Sequence, residues 1–155
     1  MGPRGEPLAR PASARKDQHV PLSQVVVPAM PAMEDLTSAE PGNLHWRQGL
    51  CRVWEVLARL QGAAGREAES RDSAGKALAI ARDLARTDPA YFYDLACALC
   101  LHGRLFSSVR DLEEGTEVLD RAIKEGFDDD HRLRTDFRLD GLRRRVVAAP
   151  PGSPK

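Results

Sequence analysis

The amino-acid sequence predicts an all-α protein in which antiparallel helical hairpins stack into a short solenoid behind a disordered N-terminal leader. Three observations carry this. Aromatic residues are only 5% of the 155-residue chain while Ala and Leu abound, which favours helix against helix over a sheet. Between residues 44 and 127 apolar residues recur at steps of three and four. Gly, Pro and capping residues punctuate that pattern at short intervals, so successive helices fold back on one another.

Residues 1–41 hold seven of the eleven prolines: Pro3, Pro7, Pro11, Pro21, Pro28, Pro31 and Pro41. That density argues against a long helix or sheet pairing, so the segment reads as a Pro-rich leader. Met33-Glu34-Asp35-Leu36 resembles an ordinary amino terminus, and translation starting at Met30 or Met33 instead of Met1 is an expectation that intact mass would test. The helical domain is expected to span 42–147, with a frayed tail over 148–155.

The first predicted helix starts after Asn43, a good N-cap, and carries the stripe Trp46, Leu50, Val53, Trp54, Leu57 and Leu60. Arg47, Arg52, Glu55 and Arg59 lie off that stripe, and Gly62 with Gly65 ends the helix. The second predicted helix, from about Glu67 to Arg86, has Ala74, Ala77, Leu78, Ala81, Leu84 and Ala85 on one face. Its small residues allow close approach of a neighbour, and Asp88-Pro89 stops it. The third, from about Ala90 to His102, is apolar nearly all round and is therefore expected at the centre, closed by Gly103. Arg104 to Ser107 are expected to form the connection. Ser108 with Asp111 then has capping-box spacing ahead of a fourth helix whose apolar face is Leu112, Gly115, Leu119, Ala122 and Ile123. Gly126 stands where a left-handed cap belongs, with Phe127 folding back on the last turn. Asp128 to Arg145 read as a short helix or two helical turns anchored by Leu133, Phe137, Leu139 and Leu142.

Lys plus Arg is 23 and Asp plus Glu is 23, so the chain as a whole is neither a polycation nor a polyanion. The charge is nonetheless uneven: Asp111–Asp130 has nine acids and two bases, and His131–Lys155 has seven bases and two acids. The simplest reading folds the basic segment onto the acidic helix. The basic run is short and lacks interleaved aromatics, which argues against nucleic acid. No uncharged apolar run approaches eighteen residues, and the first thirty residues lack the apolar core of a secretory signal, so neither a membrane span nor export is expected.

Cys97-Ala98-Leu99-Cys100 near His102 invites a metal or redox reading, but one cysteine pair is half a zinc site, and a mid-helix pair lacks the helix N-terminus that activates a redox thiol. With Cys51 the three cysteines read as core residues of a cytoplasmic protein. His19, His45, His102 and His131 join no catalytic motif, so neither cofactor nor catalytic residue is implied.

The stretch Asp88 to Gly103 resembles a tetratricopeptide repeat: a helix ending in Asp88-Pro89 is followed by Tyr93-Asp94-Leu95-Ala96, similar to the family's Tyr-Asn-Leu-Gly, and then Leu99. Gly115, Leu119 and Ala122 resemble the small, large and small positions of its second helix, and Phe127 falls where its terminal proline usually stands. Ala77, Ala81 and Leu84 resemble the second helix of a preceding repeat, with Trp54 in the first. Over 88–145 the chain is similar to the last repeat and closing segment of bacterial, planctomycete-type proteins of this family, some of which follow serine/threonine kinase domains. The resemblance implies a solenoid whose Ala96 and Gly115 let helices lie close, and a module that binds an as yet undefined protein or peptide.

The groove expected from this reading places Tyr91 beside Lys76, Arg82 and Arg86, with Arg104 also available to meet acidic groups of a peptide. The function expected is a non-catalytic interaction or scaffolding module. Its rivals are a detached C-terminal regulatory region of a larger, kinase-linked protein and an enzyme without a recognisable motif.

Overall fold

A computed structural model describes residues 22–142; residues 1–21 and 143–155 lie outside it. The described chain is helical, in the order α1 (Leu22–Ala39), α2 (Leu44–Ala63), α3 (Glu67–Thr87), a 3-10 turn (Pro89–Tyr91), α4 (Phe92–Phe106), α5 (Val109–Lys124), α6 (Asp130–Thr135) and a second 3-10 turn (Phe137–Leu139). No strand occurs among the described residues, and none of their helices is long and apolar enough to cross a membrane.

α1 packs on α2, α2 on α3, α3 on α4 and α4 on α5, and α2 also meets α4. Within the α2–α3 pair Ser70 Oγ donates to the Ala58 carbonyl at 2.7 Å and Cys51 Sγ to the Ala77 carbonyl at 3.3 Å, a pairing that runs antiparallel. α2 and α4 run in the same direction: Asp94 faces Gln48 and Arg52, and Leu101 and Leu105 face Val56 and Ala63. Two hairpins are thus layered with their first helices side by side.

The small residues of α3 explain the closeness of this layer. Ala74, Ala77, Ala81 and Leu84 are at most 2% exposed, and α4 is buried without interruption from Phe92 to Leu101. Gly115 of α5 sits on α4: a Cβ there would lie 3.3 Å from Leu99 Cβ and 3.5 Å from the Ala96 carbonyl. Tyr93 stacks on Phe127 with centroids 4.1 Å apart, and Leu139 and Leu142 close the same core. Trp54 is half-buried beside Ile80, and Leu95, Leu119 and Ala122 join the core as expected. Ile123 is the exception on the fourth predicted face; it is exposed, and Val118 is buried instead.

The helix ends follow the local chemistry. Asn43 and Ser108 side chains accept from Trp46 N and Asp111 N. Gly65 and Gly126 have positive φ, and each ends its helix with paired bonds, Arg66 N to Gln61 O and Phe127 N to Ala122 O each spanning five residues.

Two expectations are corrected. Leu22–Ala39, assigned by sequence to the leader, forms α1 despite Pro28 and Pro31 inside it. Each proline removes one helical N–H, but Val26, Met30 and Met33 gain an apolar contact with Leu50, Val53 and Leu57 of α2, and tertiary burial overrides the local penalty. Helix therefore begins by residue 22 and packing by Val26, ahead of the expected boundary at 42; the rest of the expected leader, 1–21, and the tail 148–155 lie outside the described residues. Second, Gly103 does not end its helix. α4 continues to Phe106, and Ser107 takes the left-handed turn at φ 54°. Gly103 is there for contact: a Cβ on it would lie 2.7 Å from Leu112 Cγ.

Candidate functional site

The side of the stack formed by α2 and α4 carries a buried charge cluster closed by the second 3-10 turn. Asp136 caps that turn, its Oδ1 accepting from Arg138 N at 3.0 Å. The cap places the Arg138 guanidinium against the same carboxylate in a fork, with Nε to Oδ1 at 3.0 Å and Nη2 to Oδ2 at 2.8 Å. Arg138 Nη1 then reaches Glu55 Oε2 on α2 at 3.1 Å and lies 3.8 Å from Asp94 on α4. Asp94 also accepts from Gln48 at 2.8 Å, and Tyr93 donates its hydroxyl to Asp136 at 2.8 Å. One arginine thus ties three elements that are far apart in sequence.

Burial sets the protonation of this cluster. Loss of water pushes Glu55 up to about 7 against the pull of Arg138, with Asp94 and Asp136 adding to the rise. Asp136 is held down to about 2: its own burial works against that, but the hydrogen bonds and charge of Arg138 prevail. Glu55 Oε1 is buried and has no hydrogen-bond partner among the described residues.

Beside the cluster lies a cavity of about 210 Å³. Its walls carry the guanidinium-bearing Arg52, Arg59, Arg132 and Arg138, with Glu55 and Phe137 between them. Arg59 lies over the Phe137 ring at 4.0 Å and Arg132 over the Tyr93 ring at 5.0 Å. Neither of these two arginines has an ion-pair partner among the described residues. Val56 and Arg59 also line an adjoining cavity of about 420 Å³ whose floor is Leu60, Leu101 and Leu105 and whose rim includes Arg104. The two make one groove with an apolar floor and a basic edge. A match was found neither to a family model, nor to a curated protein, nor to a solved structure.

The groove expected from sequence is not assembled as a unit. Lys76 leans over the Trp54 ring of α2 at 4.4 Å and pairs with Asp72. Arg82 turns the other way and pairs with Glu114 of α5 at 2.9 Å. Arg86 is exposed at the end of α3, and Tyr91 is half-buried in the first 3-10 turn. Of the basic residues expected at the sequence-derived groove, Lys76, Arg82, Arg86 and Arg104, only Arg104 lines the α2–α4 groove.

Within the basic C-terminal segment Arg138 goes to α2 and α4 and not to the acidic α5. Cys51, Cys97 and Cys100 are buried, and burial raises all three thiols. His102 meets Asp111 at 2.8 Å; against its own burial, bonds from Ser108 and His102 hold Asp111 low.

Sequence reasoning missed Glu55, which it placed off the apolar stripe. The missed signal is the spacing Cys51, Glu55, Ala58: a second inward face of α2, made of small residues and one carboxylate.

Proposed function

We propose that the chain is a protein-interaction module of the tetratricopeptide kind, which holds an acidic peptide segment along the α2–α4 groove and performs no chemistry of its own. The observation that carries this reading is the pair Arg59 and Arg132, two cations at one cavity that stack on rings and have no ion-pair partner among the described residues. Arginine over an aromatic face keeps its N–H edge available to a carboxylate. The apolar floor next to them gives a peptide's aliphatic side chains a place to lie. The side-by-side first helices of two layered hairpins support the family reading, since such a stack presents a groove on that side. Three buried free thiols suit a reducing compartment and support a cytoplasmic place of action.

The test is an array of acidic peptides probed with the full chain. Charge reversal by Arg59→Glu with Arg104→Glu is expected to abolish retention, whereas Arg82→Ala with Arg86→Ala leaves it intact. Retention unchanged by the first pair, or lost equally with the second, overturns the groove.

A further inference from the structure

We infer that the cavity between α2 and the Phe137–Leu139 turn is a proton-coupled carboxylate subsite: an Asp or Glu side chain of the bound peptide enters between Arg59 and Arg132, and the buried Glu55 beside it takes up a proton as that negative charge arrives. This rests on the peptide-binding reading above and adds to it the chemistry of one position.

Four guanidinium groups face this cavity and one carboxyl does. Arg138 is committed to Glu55 and Asp136, and Arg52 lies 3.4 Å from Asp94. Arg59 and Arg132 remain, held by rings alone. The excess positive charge at the cavity calls for an anion. A cavity of about 210 Å³ suits a side chain better than a whole small ligand, which commonly fills roughly 300–1,000 Å³, and the larger groove adjoining it receives the rest of a peptide.

The chain's own ends do not fit as the occupant. Residues 143–155 carry Arg143, Arg144, Arg145 and Lys155 and no acid, and residues 1–21 carry four bases against two acids. Both segments carry a net positive charge, which argues for a carboxylate supplied by a partner.

Glu55 supplies the proton linkage. Its Oε2 is taken by Arg138, and Oε1 is a buried acceptor with no hydrogen-bond partner among the described residues. An ionised Glu55 repels a carboxylate entering the cavity that it lines, whereas a protonated one does not. The groups around Glu55 are Cys51 and Arg52 on its own helix, Asp94 and Cys97 on α4, and Asp136 and Arg138 on the turn. Burial, with Asp94 and Asp136 adding to it, already brings Glu55 to about 7 against the pull of Arg138, and a further negative charge raises it more. The proton is therefore taken up on binding at pH values above neutrality.

The experiment uses the full chain and the acidic peptide that the array retains most tightly, with copies in which each Glu or Asp is replaced by its amide. Calorimetry between pH 7 and 8.5, in two buffers of different ionisation heat, is expected to show proton uptake per peptide rising from about one half at pH 7 to about one at pH 8.5, with affinity falling about tenfold per pH unit at the upper end. Glu55→Gln binds with little pH dependence and no uptake, and one particular amide copy abolishes uptake in the wild type. Binding that needs Arg59 but takes up no proton overturns this inference and leaves the peptide groove standing. An array on which no acidic peptide is retained overturns both. Should Glu55→Gln fail to fold, the two-buffer measurement on the wild type decides alone.

Discussion

The two sides of this stack handle charge in opposite ways. On the α3–α5 side Arg82 pairs with Glu114 and Lys76 with Asp72, and these side chains are between 31% and 66% exposed. On the α2–α4 side Arg138, Glu55, Asp94 and Asp136 are each at most 10% exposed, and Arg59 and Arg132 stand beside them without a carboxylate. A net charge of zero for the whole chain conceals this division. The first side is neutralised pair by pair in solvent; the second concentrates charge where water is excluded, so its pairs govern stability and its surplus is available to a partner.

The sharpest way to break the comparison is to remove the buried cation. Arg138→Met leaves Glu55, Asp94 and Asp136 facing one another without their shared guanidinium, and the expected loss is about 3–5 kcal/mol in denaturant unfolding. A loss no greater than that of an exposed arginine would erase the distinction between the sides.

Next in size is the pH dependence. Glu55 rises from its ordinary 4.5 to about 7 in the fold, so its contribution is fully present below pH 4.5 and is lost as pH rises through about 7. The loss is on the order of 3 kcal/mol for a shift of this size, and Glu55→Gln removes that slope. Asp136 acts in reverse: held near 2, it stabilises above the ordinary carboxylate value and the benefit is lost as pH falls through about 2. Wild-type stability measured against pH is thus expected to be greatest around 4 to 5 and lower at 8. A profile flat from 5 to 8 would show that Glu55 is not raised.

How much of this was legible in the sequence differs by the range of the interaction. Helices α2 to α5 were readable because their signals are local: Asn43 and Ser108 cap them, Gly65 and Gly126 end two of them, and the alanines of α3 recur on one face. α1 was not, because Pro28 and Pro31 speak against a helix locally and the compensating contact is with α2. Gly103 misled for a related reason, since a glycine near a helix end suits a cap and a close contact equally, and only the position of Leu112 decides. The candidate site was least legible. Glu55 and Arg138 lie 83 residues apart, and nothing in either one's neighbourhood names the other. Arg104 was named from sequence as a basic residue, without its place between two first helices.

A packing change of intermediate size tests whether the charge cluster or the dry contact behind it holds α4 in place. At Gly115 a Cβ fits tightly, 3.3 Å from Leu99 Cβ, but further atoms run into α4. Gly115→Leu is expected to cost about 1–3 kcal/mol and to broaden the thermal transition. An unchanged midpoint would mean that α5 is not seated on α4 as described.

The smallest effect belongs to the outer side, and it sharpens the contrast most. Arg82 and Glu114 meet at 2.9 Å, a good distance, yet their side chains are 38% and 31% exposed. Geometry alone would rank this pair with Arg138 and Glu55 at 3.1 Å. Solvent separates them: water screens the outer pair, and ordering two long side chains offsets most of what attraction remains. A double-mutant cycle with Arg82→Ala and Glu114→Ala is therefore expected to give a coupling of about 0.5 kcal/mol or less, reduced by salt, with peptide retention unchanged. A coupling of several kcal/mol that persists in high salt would place buried electrostatics on both sides of the stack, and the surplus at Arg59 and Arg132 would then lose its claim to be what distinguishes the α2–α4 groove.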